Sequence, residues 1–206
     1  MTTEIKAIRL SEAQTSEAAQ VLCRAFRADP ATVYCYSGAQ YRGQDWFFAL
    51  SVRQAYRHGG EVHTTEGPVN GVAVWFSSGN LPTGLSYMVR SGIVLAPLRV
   101  GWMPFIRFMR CITSLERLHK RNAPAQHWYL QFLGVDPPCQ GQGIGSALMR
   151  PVLDRADAEG VACYLETFNA RTVPLYQRHG FEVMVEGEPP KGAPHFWTMM
   201  RAPRRR

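Results

Sequence analysis

His127-Trp128-Tyr129-Leu130-Gln131-Phe132-Leu133-Gly134-Val135-Asp136-Pro137-Pro138-Cys139-Gln140-Gly141-Gln142-Gly143-Ile144-Gly145-Ser146-Ala147 reads as a strand, a loop and the start of a helix. Trp128 to Val135 is apolar and aromatic with Gln131 inside it, which suits a central strand. Asp136-Pro137-Pro138 ends that strand, because proline has no N–H to give a ladder. Gln140-Gly141-Gln142-Gly143-Ile144-Gly145 then opens a helix that continues through Leu148, Val152 and Leu153. Three glycines on alternate positions let a ligand approach the backbone closely. The first-turn N–H groups lack partners within the helix and sit at its positive end, so they form a ready phosphate or pyrophosphate site.

The spacing after Gly143 is wrong for the Rossmann fingerprint, and no lysine follows to make a P-loop. A glycine-rich strand-to-helix turn without a ligand is the other reading. The pattern Gln-x-x-Gly-x-Gly after a strand ending Leu-Gly-Val-x-Pro resembles the cofactor signature of the GNAT superfamily of N-acetyltransferases.

Outward from this stretch the pattern alternates helix and strand periods. Glu4 to Leu10 suits a first strand, and Ser11-Glu12-Ala13-Gln14 a capping-box start. The helix after it puts Ala18, Val21, Leu22, Ala25 and Phe26 on one face and ends at Asp29-Pro30. Tyr41 to His58 forms a second helix, stopped by Gly59-Gly60. Glu61 to Thr65 and Val72 to Ser77 form a hairpin. Residues 82–124 form a helical insertion before the central strand, with helices over Leu85–Leu95 and Phe105–Arg121. A connection this long suits a lid or binding wall. Beyond the central unit come a strand from Val161 to Phe168, a short helix from Arg171 to His179 capped by Gly180, and strands over Phe181–Val185 and His195–Met200. Pro151 should bend the long helix or cost it a hydrogen bond.

The second half carries a further motif. Leu165-Glu166-Thr167 precedes Asn169, then Leu175-Tyr176 and Gly180-Phe181, which resembles the superfamily's last cofactor motif, although Thr172 stands where many members have alanine. Within the superfamily the chain is similar to the puromycin N-acetyltransferase type. That similarity rests on Ala25-Phe26, Asp29-Pro30-Ala31-Thr32, Val72-Ala73-Val74-Trp75, Pro151, Pro174 and Trp197-x-Met199. It is weak from Tyr34 to Glu66 and across the insertion.

The resemblance implies an α/β GNAT fold: a mixed, mostly antiparallel sheet splayed at its central strands, with helices on both faces. Residues 1–202 would form one domain and 203–206 a basic tail. It implies transfer of an acetyl group from acetyl-CoA to a primary amine, by direct attack in a ternary complex and without a metal. Gln140, Gly141, Gln142, Gly143, Ile144, Gly145 and Ser146 would take the pyrophosphate. Leu133, Gly134 and Val135 would pair with the pantetheine arm as a strand does, a backbone N–H there would stabilise the oxyanion, and Asn169 would hydrogen-bond the arm. Tyr176 matches the tyrosine that donates to the departing thiolate. Phenol and thiol pKa values of about 10 and 8.5 make full transfer uphill, but donation to a developing thiolate is favourable.

Gln131 cannot ionise, so the base is sought elsewhere. Glu166 is the nearest carboxylate and Asp29 the alternative, each as readily a structural group. Asp29, Tyr34, Trp75, Trp102 and Phe105 are the candidate acceptor contacts. Without a strand base, an α-amino group, which needs about 1 kcal/mol to lose its proton at neutral pH, suits the site better than a lysine, which needs about 4.6 kcal/mol. His63, His127 and His195 receive no role.

Hydrophobic content of 46% and charged content of 19% describe a globular protein without a signal segment or membrane span. Five scattered cysteines without a Cys-x-x-Cys pair point to a reducing cytoplasm, not to zinc or a disulfide framework. The net charge is +7, with Arg201, Arg204, Arg205 and Arg206 read as a solvated tail. No nucleic-acid motif accompanies it. The expected partner is a small-molecule amine, the expected state a monomer or homodimer. Two other functions fit the sequence: an acyl-CoA-binding module without catalysis, and a nucleotide- or nucleic-acid-binding protein. A protein or peptide N-acetyltransferase is the alternative acceptor class.

Overall fold

The structure, a computed structural model, describes residues 5–37, 40–81, 92–187 and 192–204. Among these, seven strands form one sheet: β1 (Ala7–Arg9), β2 (Glu61–Thr65), β3 (Gly71–Ser77), β4 (His127–Val135), β5 (Ala162–Thr167), β6 (Glu182–Gly187) and β7 (Phe196–Arg201). The order across the sheet is β1-β2-β3-β4-β5-β7-β6; β4 and β5 run parallel and the other neighbours antiparallel. The helices are α1 (Thr15–Phe26), α2 (Pro30–Tyr36), α3 (Gln44–Arg57), α4 (Ala96–Val100), α5 (Trp102–Asn122), α6 (Ile144–Glu159) and α7 (Val173–Arg178). This is the mixed α/β GNAT fold that the motifs implied.

Strand alternation decides which helix each side chain meets. On β3, Ala73 and Trp75 turn toward α6, whose Ile144, Leu148, Met149 and Val152 complete one core. Val72, Val74 and Phe76 turn the other way, toward Val21 and Leu22 of α1 and Phe48 and Val52 of α3. Each fully buried side chain of this size contributes about 1.5–3 kcal/mol.

The central opening follows from two register events. Val74 faces Phe132 and Trp75 faces Leu130, so Gln131 is an extra residue that bulges β4. The β4–β5 ladder spans His127–Leu130 against Ala162–Leu165 and stops there. Beyond it β4 stays with β3 as far as Val135, while Glu166 and Thr167 of β5 stay with β7. The two strands therefore part at Gln131 and Glu166.

Three expectations change. Asp29-Pro30 does end α1, but it also begins α2: the Asp29 carboxylate accepts from the Ala31 N–H at 3.0 Å, with Pro30 as the first helical residue. Most of the expected Leu85–Leu95 helix lies outside the described residues; its last part, Ile93–Leu95, is a 3-10 turn leading into α4. Arg201 is no tail residue. It closes β7, is 3% exposed, and pairs with both oxygens of Asp157 on α6 at 2.7 Å. Pro151 is absorbed within α6, which runs on to Glu159 and is capped by Gly160.

Candidate active site

The glycine stretch folds as the sequence suggests. After a 3-10 turn at Pro137–Cys139 the chain reaches Gly143, the N-cap of α6, at φ 85°. Gly141 also has positive φ, 77°. A Cβ built on either meets nothing within 4 Å, so the turn stands open above the helix end. Its outer arm is tied back by Gln140 Nε2 donating to the Val135 carbonyl at 3.0 Å, and by Arg24 holding Asp136 with bonds of 2.9 and 2.5 Å. Ile144 points its side chain into the core, so it offers a ligand only backbone. Ser146 is engaged by His179, a contact of 2.9 Å between segments that no local pattern links.

Leu133, Gly134 and Val135 lie on the length of β4 whose β5-facing edge has no strand partner among the described residues. That open edge beside the glycine turn fits an amide-bearing arm ending in a pyrophosphate. Gly134 has its own reason: a Cβ there would come within 2.9 Å of Leu22 and 3.0 Å of Ala25, so the missing side chain lets α1 lie directly on β4.

Across the opening, Asn169 sits in a turn. Its Oδ1 accepts from the Arg171 N–H at 3.1 Å, while Thr172 donates to its carbonyl. Thr172, the departure from the family pattern, also joins Thr167 at 2.9 Å and so braces that turn. Tyr176 on α7 is 6% exposed and packs edge-on against Phe181. Burial pushes its phenol well up, and the Asp29 carboxylate adds to the push. The fold thus brings Asp29 close enough to Tyr176 to act on it electrically. Asp29 is itself raised by burial, against the lowering hydrogen bonds of its helix cap.

Glu166 lies at the other side of the parting, with its side chain 6% exposed. Burial raises its carboxyl to about 8, partly offset by the Tyr129 and Tyr164 phenols. Tyr34 reaches the insertion: its ring lies under the Arg107 guanidinium and its carbonyl accepts from it.

Two expected acceptor contacts are corrected. Trp75 is 0% exposed in the core under α6, on the sheet face away from α1 and α3, because strand alternation turns it there. Trp102 begins α5 and is 64% exposed, and among the described residues no aromatic contact ties it to the opening. Phe105 is half-buried, but one turn further on Phe108 is the residue that reaches the sheet side. It meets Phe47 at 5.1 Å, and Phe47, Phe48 and Phe26 all pack against Phe132 of β4. This aromatic group was missed; the Phe105/Phe108 spacing on the insertion helix was the available signal.

The Acetyltransferase (GNAT) family profile matches residues 101–181, from the start of α5 to Phe181. An uncharacterized N-acetyltransferase of Schizosaccharomyces pombe is 25% identical over 179 residues, 84% of this chain and 72% of that one. Among solved structures, histone acetyltransferase HPA2 and related acetyltransferase from Corynebacterium glutamicum superposes with TM-score 0.65 at 21% identity, covering 99% of both chains. Arylalkylamine N-acetyltransferase 2 of Aedes aegypti gives 0.66 at 15% identity, covering 97% of this chain and 99% of that one. At these identities the solved structures speak to the fold. They show the GNAT fold, while the profile match over residues 101–181 and the fission-yeast relative support an N-acetyltransferase, for which acetyl-CoA is the implied co-substrate. Among the described residues, no helix is long and apolar enough to cross a membrane.

Proposed function

We propose that the protein transfers an acetyl group from acetyl-CoA to the primary amine of a small molecule, by direct attack within a ternary complex. The observation that carries this is the parting of β4 from β5 after Leu130 and Leu165, with the open glycine turn at one end and Tyr176, Asp29 and Glu166 around it. Backbone N–H groups of Gln140 to Ser146 would hold the pyrophosphate. The free edge of Leu133 to Val135 and the amide of Asn169 would hold the pantetheine arm. Tyr176 donates to the leaving thiolate, and its raised pKa keeps the phenol protonated until then. Glu166 is the proton acceptor for the amine, and Asp29 holds the ammonium as it enters.

The acceptor lies between α2, α3, α5 and the bulged part of β4, against Phe26, Phe47, Phe108 and Phe132. Apolar walls with few charged groups favour a compact amine over an extended peptide. The arylalkylamine enzyme of similar fold supports that reading, whereas the histone acetyltransferase structure keeps a protein acceptor as the competing one. The puromycin type of acceptor, an α-amino group, rests on sequence motifs alone. The test is a thiol-release assay with acetyl-CoA across small amines of graded pKa, puromycin included, beside a lysine-rich protein. Turnover with small amines is expected, fastest for those of lowered pKa. Acetylation of protein lysines faster than of any small amine would overturn the reading.

A further inference from the structure

Helix α5 has two sides of different character. Pro104, Cys111 and Leu115 turn inward, and Phe108 meets Phe47. Steps of four and three residues run along the other side through Trp102, Ile106, Arg110, Thr113 and Arg117, all of them exposed. Met103 beside them is 56% exposed. Across the one-residue bend at Gly101, which has φ 96°, Leu98 of α4 is 67% exposed, and Leu95 and Val94 precede it at the surface. Single exposed apolar residues are ordinary, but a cluster of large ones marks an interaction surface.

The charge in this region has one sign. From Gly67 to Leu115 the chain has no aspartate or glutamate. Arg99 and Arg110 stand exposed among the apolar residues, and Arg117, Lys120 and Arg121 follow along α5. Glu116, the first acid reached, is held by Lys120 at 2.7 Å. Arg107 is apart from this face, because it donates to the Ser37 and Tyr34 carbonyls at the end of α2. The run from Gly92 to Met109 is too broken by Arg99, Pro104 and Arg107 to span a bilayer. Lying on one asks only for an apolar face with cations beside it.

We propose that the outer face of α4 and α5 docks on an anionic lipid bilayer, with Leu98, Trp102, Met103 and Ile106 entering it and Arg99, Arg110 and Arg117 at the phosphate headgroups. Apolar tips sink to the acyl boundary while arginine stems reach back to the phosphates. Tryptophan favours the headgroup level, where one edge is apolar and the other wet. A second copy across a two-fold axis would set arginine against arginine, with no acid from the patch between them. A protein partner would need acids spaced to match the arginines. An anionic bilayer offers a phosphate wherever an arginine falls. The inward side of α5 reaches the aromatic acceptor pocket, so docking brings that pocket to the lipid surface. The surface itself does not depend on the transferase reading.

The test is flotation of the full chain with vesicles of phosphatidylglycerol and phosphatidylcholine in equal parts, beside vesicles of phosphatidylcholine alone. Binding to the anionic vesicles should be stronger by about tenfold or more, and should weaken as salt rises. Leu98→Asp/Met103→Asp should lose binding roughly tenfold or more, with the Tm and coenzyme A affinity of wild type. Arg110→Glu/Arg117→Glu should lose it too. Trp102 is the one exposed tryptophan among the described residues, so emission should shift to the blue on anionic vesicles. That shift should vanish in Trp102→Phe, which still binds. No binding, or equal binding to both vesicles, would overturn the proposal. Binding retained by Leu98→Asp/Met103→Asp would also overturn it, because the net charge of +7 would then be the whole attraction. A dimer in sedimentation that the same variant splits, without vesicle binding, would assign the face to a second copy and overturn it as well. Vesicle binding of the expected pattern in a protein that transfers no acetyl group would count against the proposed function and leave this surface standing.

Discussion

On the α6 side of the β4–β5 opening, the groups offered to a ligand are backbone: the glycine turn, the first N–H groups of the helix and the free edge of β4. On the α5 side they are side chains: Phe26, Phe47, Phe108 and Phe132, with Asp29 and Glu166 behind them. A backbone site recognises one constant shape and tolerates little change in its glycines. A side-chain site can be rebuilt residue by residue while the frame stays, so the first predicts the chemistry and the second must be probed for the substrate.

If that division holds, breaking the frame should do the most damage. Asp157→Asn strands the Arg201 guanidinium, which is 3% exposed, without its carboxylate. A loss of roughly 3–5 kcal/mol is expected in denaturant unfolding. Arg201 holds the Asp157 carboxyl below its usual value, so the pair stabilises above the ordinary carboxylate range. That contribution is lost as pH falls through the depressed value, so the difference between wild type and variant should shrink in acid.

Gly143→Val should come next, lowering coenzyme A affinity roughly 100-fold in calorimetry, about 2.7 kcal/mol. The added atoms meet no protein neighbour, so the variant should still fold, with only the strain of a side chain at φ 85°. Normal affinity would show that the turn is not the cofactor site.

On the side-chain half, Phe108→Ala or Phe132→Ala should raise the acceptor KM about tenfold while coenzyme A affinity stays put. Equal loss of both would mean that the aromatic group is core for the whole opening. Trp102→Ala, at an exposed position, should stay within about 0.5 kcal/mol of wild type in stability.

A last effect, absent in acid, is a stability gain in Glu166→Gln that depends on pH. Burial raises the Glu166 carboxyl from 4.5 to about 8, so its stabilising protonated form is complete below 4.5 and is lost as pH rises through about 8. The melting temperature of the variant should pull ahead of wild type over that window and not below it.

The same division explains what could be read in advance. Glycines, prolines and strand alternation report backbone geometry directly, so the central strand, its turn and the helices on either side were legible with ends displaced by up to about three residues. Helix α2 was hidden because Asp29-Pro30 is both a stop and a start signal. Trp75 was misplaced because alternation assigns a residue to a face without saying which side of the sheet the site occupies. Partners such as Glu166 and His119 come from distant segments joined only by folding, and no local pattern marks them.

In the proposed mechanism Tyr176 is where the two halves meet, and its hydroxyl matters only as the thiolate forms. The direct measurement is steady-state thiol release by Tyr176→Phe against wild type, with a single-turnover experiment to separate chemistry from product release. The account predicts kcat lower by roughly 100-fold with the KM for acetyl-CoA nearly unchanged. An unchanged single-turnover rate would contradict it.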